Sequence, residues 1–447
     1  MRTLAPELDA LAAETGFSGV VRVDEGDAVL ARAYGFAHRG WAIPNEVDTR
    51  FGLASGTKAW TALTVVSLIE EGVLELSTTA RSLLGEDLPL VGDDVTVDHL
   101  LAHRSGIGDY LDEEVDVDLD DYLMPVPVHE LATAEDYLAV LDGHETKFAP
   151  DERFGYCNGG YVILALLAER ASGVSYHELA SARVCEPAGL VDTAFLRSDQ
   201  LPGGTALGYL DAGDARTNVL HLPVRGVGDG GLYSTVADIR SFWRAFFAGA
   251  IVSPEWVAEM VRPRSQGEQL RYGLGFWLHA SSDAVVLDGM DAGVSFHSVH
   301  DPGAGLTWTV ISNTTDGAWP VARLAARAVR VTAIAGRRVV PGPASGGRVA
   351  CEREAERPLR DAQALLGRSQ VQLDRREARD VEAVVEPRGV LGPPARGEGQ
   401  LADVLEERRR DAELGQRGGA APERLDEPCV PLERAELHAH HGLVELA

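Results

Sequence analysis

The hydrophobic pattern of the first 330 residues changes its period along the chain. Alternating and β-rich runs at 17–24 and 28–36, separated by Glu-Gly-Asp, predict a β-hairpin. Apolar residues then recur at helical spacing over 55–72, which predicts a helix that is buried largely on one side. Further helices are predicted at 95–103, 133–142, 158–172, 175–184 and 235–249. Strands return at 273–279, 284–289, 294–300 and 306–313, and a closing helix is predicted over 317–330.

This order of elements predicts an α+β fold. Two strands near the start and a meander near the end indicate one antiparallel sheet built from both chain ends and flanked by helices. We expect residues 1–330 to form the globular part. Its sheet part would cover about 1–75 and 255–330, and a helical part would cover about 76–254.

The composition changes after residue 330. Residues 331–447 contain no aromatic side chain, 18 arginines and 21 acidic residues, and glycine and proline recur throughout. Without aromatic or β-branched mass, such a segment buries too little apolar surface to offset the entropy of ordering. We predict a low-complexity, disordered tail without an assigned function. Read-through or out-of-frame translation of GC-rich DNA is an alternative origin for it.

Charge and sorting signals narrow the function classes. The formal net charge of −28 opposes binding to polyanions, so nucleic acid and anionic membrane surfaces are not expected as partners. No apolar run approaches the ~18 residues of a membrane span, and the N-terminus lacks the apolar core of a secretory signal. The four cysteines form no CxxC pair, which argues against a zinc ribbon. These features predict a cytoplasmic protein; they leave the oligomeric state open.

The first candidate for chemistry is Ser55-Gly56-Thr57-Lys58, at the start of the predicted helix 55–72. Residues three apart share one helix face, so the hydroxyl of Ser55 and the amine of Lys58 can meet. A serine nucleophile needs a base, and a partly buried lysine can serve as one. Only two of the 41 basic residues are lysine, Lys58 and Lys147, which favours a chemical role. The alternative is a helix-capping serine beside a surface lysine.

The second candidate is Tyr156-Cys157-Asn158, on a loop that enters the helix 158–172. The phenol of Tyr156 can transfer a proton to a leaving group, and the amide of Asn158 can hold a substrate carbonyl. Alternatively, Tyr156 only packs and Asn158 caps the helix.

Four ordered segments resemble the serine beta-lactamase-like hydrolases, a group that includes class C beta-lactamases, penicillin-binding DD-peptidases, esterases and D-amino-acid amidases. The segments are FGLASGTKAWTALTVVSLIEEGVLEL, VTVDHLLAHRSGIGDY, APDERFGYCNGGYVILALLAER and GDGGLYSTVADIRSFW. The resemblance covers about residues 10–330. It implies an antiparallel sheet flanked by helices, an all-helical subdomain and an active site between them. It also implies Ser55 as the acylated nucleophile, Lys58 as its base, Tyr156 as proton shuttle and Asn158 as substrate-amide binder.

The family's third motif departs from its pattern here. A Lys or His, any residue and a Gly are expected on the strand beside the cleft, and the aligned segment is 288–296. Met290 stands in place of the Lys or His, and Ala292 in place of the Gly. Because a methionine side chain neither binds a carboxylate nor transfers a proton, this departure argues against penicillin-like substrates.

Two neighbours of Met290 are also assigned roles. We expect the backbone N–H of Gly293 to complete an oxyanion hole with the N–H of Ser55. Asp291 either shifts the preference toward cationic substrates or points into solvent.

An acidic run at 112–121 is interpreted as a solvated loop or as an attractor of cations. His103 is expected to bind backbone.

The predicted function is therefore a serine hydrolase that forms an acyl-enzyme with small-molecule ester, amide or peptide substrates, D-amino-acid derivatives included. No metal or organic cofactor is implied. One alternative is a DD-carboxypeptidase or beta-lactamase. An alternative of another class, motivated by Met290, is a catalytically idle relative that only binds a ligand.

Overall fold

The computed structural model describes residues 4–336, except 116–117, 212 and 267–269, and all of these belong to one compact unit. The predicted tail beyond Gly336 lies outside the described residues. Among the helices that are described, none has the length and apolar character to span a bilayer.

Eleven α-helices are found in the described part of the chain: α1 Leu4–Thr15, α2 Lys58–Glu70, α3 Ala80–Leu84, α4 Val97–Leu101, α5 Leu138–Leu141, α6 Asn158–Ser172, α7 Tyr176–Ala180, α8 Glu186–Ala188, α9 Val236–Phe247, α10 Pro254–Met260 and α11 Ala318–Gly336. Short 3₁₀ turns cover Ala54–Thr57, Val128–Glu130 and Glu135–Tyr137, and a π-helical turn covers Ser181–Cys185.

The strands of the same residues are β1 Gly19–Glu25, β2 Ala28–Tyr34, β3 Phe36–His38, β4 Ile43–Pro44, β5 Phe51–Gly52, β6 Tyr233–Ser234, β7 Ser265–Gln266, β8 Arg271–Tyr272, β9 Trp277–Leu278, β10 Val285–Asp291, β11 Val294–Asp301 and β12 Leu306–Ser312. Eight of them form one antiparallel sheet in the order β2-β1-β12-β11-β10-β9-β8-β7. Gly19 lies opposite Ser312 and Glu25 opposite Leu306, so β1 and β12 join the two ends of the fold. The predicted antiparallel sheet built from both chain ends is confirmed.

Alternate residues of the central strands point to opposite faces of the sheet. On one face, Val21 and Val310 pack with α1 and α11 in a smaller apolar core. On the other face, Val20, Phe296 and Ile311 join the larger core with α2, α6 and α9. This second face matters for function because it holds α2, the helix that follows Ser55.

Most predicted elements are present, with three informative differences. Of the strand expected at 273–279, only β9 at its end is a strand. Its first half is the turn between β8 and β9, in which Gly275 has a φ of +87°. Helices α1, α3, α8 and α10 were not predicted; α1 buries only a narrow stripe of Leu4, Leu8 and Ala12. The closing helix α11 continues to Gly336. The predicted bounds of the sheet and helical parts stay a prediction, and α9, within 76–254, packs against the sheet.

Candidate active site

Ser55 lies in the 3₁₀ turn Ala54–Thr57 that leads into α2. The amine Nζ of Lys58, the first residue of α2, is 2.9 Å from Ser55 Oγ. The side chain of Ser55 caps neither helix, and Lys58 is only 2% exposed. The alternative of a capping serine beside a surface lysine is therefore wrong, and the predicted contact between the two side chains is confirmed.

Three oxygen atoms surround the amine of Lys58. Besides Ser55 Oγ, it donates to the side-chain Oδ1 of Asn158 and to the backbone carbonyl of Asp229, both at 2.9 Å. These bonds come from three separate parts of the chain and hold the long, flexible lysine side chain in one position. A base held in this way needs little rearrangement when the serine proton is transferred.

Asn158 is the first residue of α6, but it is not the helix cap. Cys157 takes that position, and its Sγ accepts a hydrogen bond from the N–H of Gly160. The amide NH₂ of Asn158 donates to the carbonyl of Leu111 at 3.0 Å, while its Oδ1 accepts from Lys58. In this geometry Asn158 positions the lysine. Its predicted contact with a substrate amide stays a prediction.

Tyr156 lies beside the same amine. Lys58 Nζ is 5.0 Å from the centre of the Tyr156 ring, and this ring stacks on His103 with centroids 4.2 Å apart. His103 Nδ1 accepts the N–H of Cys157 at 3.1 Å, so the expectation that His103 binds backbone is confirmed. The histidine thus orients the tyrosine both through its ring and through the adjacent backbone.

These residues border one cavity that is open to solvent. It is lined by Ser55, Tyr110, Leu111, Glu113, Leu119, Tyr156, Asn158, Asp229, Gly230, Trp277, Asp288, Gly289, Met290 and Asp291. Five residues predicted from the sequence, Ser55, Tyr156, Asn158, Met290 and Asp291, therefore meet at one site, with Lys58 directly behind Ser55.

Strand β10 lies, at Gly289, directly against the 3₁₀ turn Ala54–Thr57 that contains Ser55. A Cβ atom added to this glycine would be 2.2 Å from the carbonyl oxygen of Leu53 and 3.0 Å from the nitrogen of Ser55. Only glycine permits this approach of two backbones. A glycine inside a predicted strand is a signal for such an approach, so Gly289 could be recognised from the sequence.

The alternation of hydrogen bonds along β10 shows which of its amides face the cleft. Asp291 and Val294 flank a two-residue turn, so their backbone groups face each other, and those of every second residue of β10 face β11. Consistently, the carbonyl of Ala284 points the other way and accepts the N–H of His279. The same alternation directs the N–H of Met290 away from β11, to the cleft edge of the strand.

Gly293 does not occupy the predicted position. It lies in the turn between β10 and β11 with φ +69°, and its N–H donates to Thr315 Oγ1 at 2.8 Å. This buried hydrogen bond is incompatible with the predicted role of Gly293 as an oxyanion-hole donor. The physical reason is the tight turn, which directs this amide into the protein, whereas the N–H of Met290 faces the cleft edge of β10.

Several carboxyl groups make the electrostatic potential around Lys58 more negative. Burial lowers the pKa of Lys58, while the charges of Asp229, Glu113, Asp109 and Asp291 raise it. Burial also acts on the carboxyl groups themselves: it raises the pKa of Asp291 to about 7 and that of Asp109 to about 6. The pKa of Asp229 is also raised, chiefly by burial, and the hydroxyl of Tyr110 donates to its carboxylate.

One of these acids comes from a sequence feature whose role was left open, and another was missed. Glu113 belongs to the acidic run 112–121, of which 116–117 lie outside the described residues, and it lines the cavity. Its neighbour Asp112 is bound by Lys147 at 2.7 Å, so this part of the run is not a free solvated loop. Asp229 lies within a glycine-rich turn and was missed, because its position at the site depends on tertiary contacts. In residues 4–336, gaps aside, no cluster of His, Cys, Asp and Glu is arranged to hold a metal ion.

The raised pKa of Asp291 predicts a pH-dependent cost to stability. A carboxyl group whose pKa is about 7 when folded and 3.8 when unfolded favours the folded state below pH 4, and this contribution is lost as the pH rises through 7. We expect Asp291→Asn to raise the free energy of unfolding by about 1–2 kcal/mol at pH 8, and by less at pH 5.

Denaturant unfolding at both pH values measures this effect. Asp229, Lys58 and Glu113 face Asp291 and titrate with it, so the comparison is made against wild type at each pH. Asp283→Asn, at an exposed position, serves as the matched control. It should change the free energy of unfolding only slightly, and by the same amount at both pH values. Equal differences for Asp291→Asn at pH 5 and 8 would contradict the assignment.

Comparison with known proteins shows the family to which the chain belongs. Residues 6–333 match the family model described as Beta-lactamase. Penicillin-binding protein 4* of Bacillus subtilis (strain 168) is 29% identical over 285 residues, which are 60% of this chain and 61% of that protein. A D-aminopeptidase of Brucella anthropi is 31% identical over 242 residues, 52% of this chain and 42% of that protein. Esterase EstB of Burkholderia gladioli is 30% identical over 230 residues, 47% of this chain and 55% of that protein.

The matched region thus spans about two-fifths to three-fifths of the length of these curated relatives. Among solved structures, a penicillin-binding protein from Bacillus halodurans has a TM-score of 0.67 and 34% identity, and the match covers 73% of this chain and 99% of that one. The family match covers well over half of the chain and includes every residue of the site described above. The chain belongs to the beta-lactamase family of serine beta-lactamase-like and penicillin-binding-protein-like proteins.

Proposed function

We propose that this protein is a serine hydrolase that cleaves small ester or amide substrates through an acyl-enzyme. The observation that carries this proposal is the 2.9 Å contact between Lys58 Nζ and Ser55 Oγ inside a shared cavity. An idle, ligand-binding relative would not need a buried lysine that three separate segments hold against a serine. The esterase and D-aminopeptidase relatives support ester and amide substrates, D-amino-acid derivatives included.

Acylation begins with the neutral form of Lys58, which burial favours. Ser55 Oγ attacks the substrate carbonyl carbon while its proton passes to Lys58 Nζ. The carbonyl oxygen becomes an oxyanion, which the N–H groups of Ser55 and Met290 stabilise. The bond to the leaving group then breaks, and the proton reaches that group from Lys58 through Tyr156.

Deacylation repeats these steps with water. Water loses a proton to the Tyr156–Lys58 pair as its oxygen attacks the ester carbonyl of the acyl-enzyme. The same two amides stabilise the second oxyanion, and Ser55 Oγ regains its proton as the acid product leaves. An amine or alcohol in place of water would complete an acyl transfer by the same route.

Intact-mass spectrometry after brief incubation with a fluorophosphonate probe tests the nucleophile. We expect one adduct per chain in wild type and in Ser181→Ala, a matched exposed serine, and none in Ser55→Ala. Ser55-dependent release of nitrophenol from p-nitrophenyl acetate should accompany it. A folded protein that forms no adduct and releases no nitrophenol would contradict the hydrolase proposal and favour the idle, ligand-binding alternative.

Penicillin G in a parallel incubation tests the beta-lactamase and DD-carboxypeptidase alternative. The penicillin-binding relatives favour it, but Met290 offers no charge to a substrate carboxylate and the cavity wall is acidic. We therefore expect acylation by penicillin G to be at least about 100-fold slower than acylation by the fluorophosphonate. Comparable rates would show that carboxylate-bearing lactams fit the site, and the alternative would replace the ester and amide proposal.

A further inference from the structure

The wall of the catalytic cavity carries carboxyl groups from separate parts of the chain. Glu113 comes from the acidic run, Asp229 from the glycine-rich turn, and Asp288 and Asp291 from β10. Among the described residues that line the cavity, none is an arginine or a lysine. Lys58 lies behind the cavity, and its amine already binds Ser55, Asn158 and the Asp229 carbonyl.

The carboxyl groups differ in how the protein already satisfies them. Asp288 Oδ1 lies 3.1 Å from His297 Nδ1, behind the strand. Asp229 accepts the hydroxyl of Tyr110. Asp291 accepts only the backbone N–H of Ala292, at 2.8 Å through Oδ1, and forms no salt bridge with a basic side chain of the described residues. Asp291 thus offers an acceptor oxygen to the cavity.

Asp291 also stands between two cavities. A second cavity shares Tyr110, Asp229, Gly230 and Asp291 with the catalytic one. Its remaining wall is mostly apolar and aromatic: Tyr137, Leu196, Val219, Leu222, Pro223, Val224 and Tyr233 belong to it. A ligand with a cationic centre at Asp291 could therefore place an apolar group in the second cavity and a carbonyl group at Ser55.

The position of Asp291 in β10 relates this charge to the reacting carbonyl. Asp291 directly follows Met290, whose N–H faces the cleft as the proposed oxyanion donor. A substituent on the carbon next to the scissile carbonyl is two bonds from the carbonyl carbon, and so it lies close to the oxyanion donor. A protonated amine there would meet the carboxyl groups of Asp291, Asp229 and Glu113, whereas a carboxylate would be repelled.

We propose that this site selects acyl donors that carry a free, protonated amino group beside the scissile carbonyl, together with an apolar side chain. In chemical terms these are unblocked esters or amides of hydrophobic amino acids. Asp291 is the specificity-determining residue, with Asp229 and Glu113 supporting it. This inference rests on the proposed hydrolase function and deepens it.

Matched methyl esters test the selectivity at pH 7.0. About half of the Asp291 carboxyl groups are ionised there, because their pKa is about 7, and a free α-amino group, with an ordinary pKa of roughly 7.7–8.0, is mainly protonated. The substrates are phenylalanine methyl ester in both enantiomers, its N-acetyl derivative, and methyl 3-phenylpropanoate, which lacks the amine. We expect the better enantiomer of the free amino ester to exceed the other two substrates at least tenfold in kcat/KM. We expect Asp291→Asn to reduce that ratio at least tenfold and Asp283→Asn, an exposed acid before β10, to preserve it. A ratio near one in wild type, or an unchanged ratio in folded Asp291→Asn, would overturn the inference.

A measurement on wild type alone covers the case in which Asp291→Asn does not fold. Phenethylamine and 3-phenylpropanoate, a cation and an anion of similar size, compete with p-nitrophenyl acetate. We expect the amine to inhibit at least tenfold more tightly, and equal or reversed inhibition contradicts the inference. The fluorophosphonate adduct at Ser55 does not depend on substrate charge. Its presence with a selectivity ratio of one would reject only the inference, whereas its absence would reject the hydrolase function itself.

Discussion

Replacing Lys58 with Met should lower kcat/KM for p-nitrophenyl acetate by about 10³-fold or more. General-base catalysis contributes roughly 10²–10⁴-fold, and methionine has a similar length but accepts no proton. The amine also holds Ser55 Oγ at 2.9 Å and is itself held by Asn158, so the substitution removes both the base and its positioning effect. Steady-state kinetics with the folded variant measure the loss.

The second lysine of the chain provides a control of the same chemistry. Lys147 forms a salt bridge with Asp112, with Nζ and Oδ1 2.7 Å apart, and does not contact Ser55. Because no proton transfer involves Lys147, Lys147→Met should change kcat/KM less than about fivefold. A pH profile separates the base from a structural role. In wild type, kcat/KM should rise with pH until Lys58 is neutral, and this limb should be absent in Lys58→Met. Activity within tenfold of wild type in Lys58→Met would exclude Lys58 as the base.

Gly289→Ala is expected to lower kcat/KM by about 10²–10³-fold, the range found when one oxyanion-hole donor is lost. The added Cβ would lie 2.2 Å from the Leu53 carbonyl oxygen and 3.0 Å from the Ser55 nitrogen, both backbone atoms that cannot rotate away. Strand β10 must then move away from the 3₁₀ turn that contains Ser55, and this separates the N–H of Met290 from that of Ser55. Kinetics on p-nitrophenyl acetate and a thermal unfolding curve measure the effect.

The matched control is Gly203→Ala, at an exposed glycine with no heavy atom within 4 Å of the added Cβ. It should preserve both activity and unfolding temperature. The fluorophosphonate reaction gives a further distinction, because Gly289→Ala should still label at Ser55, only more slowly. Wild-type kinetics together with an unchanged unfolding temperature in Gly289→Ala would contradict the close approach and the oxyanion hole derived from it.

Local patterns were sufficient for the strongly periodic elements and for the contact between Ser55 and Lys58. Ser55 and Lys58 are three residues apart on one helical turn, so their meeting follows from helix geometry, and the structure shows it at 2.9 Å. The hairpin 17–36 and the strands β10 to β12 carry clear alternation, and their pairing matches it. Weakly periodic elements were missed: α1 buries every fourth residue along one narrow stripe. The turn between β8 and β9 was predicted as part of a strand over 273–279, because its apolar residues look continuous in sequence.

The roles of single residues beyond that pair depended on long-range contacts. Asn158 could be read as a cap, but Cys157 occupies that position, and the amide of Asn158 is bound by Lys58 from 100 residues away. Gly293 was assigned to the oxyanion hole from its place in a motif. Its N–H instead binds Thr315, because the tight turn after β10 directs that amide inward.

The sequence by itself determined the fold class, the serine–lysine pair and the family resemblance, because these depend on periodicity and short spacing. Only the tertiary structure decided that Lys58 is buried among carboxyl groups, that Gly289 brings β10 against Ser55, and that Asp291 faces the cavity. The physical reason is that burial, electrostatic potential and the direction of a strand's amides arise from segments far apart in the chain. Such properties exist only after those segments pack together.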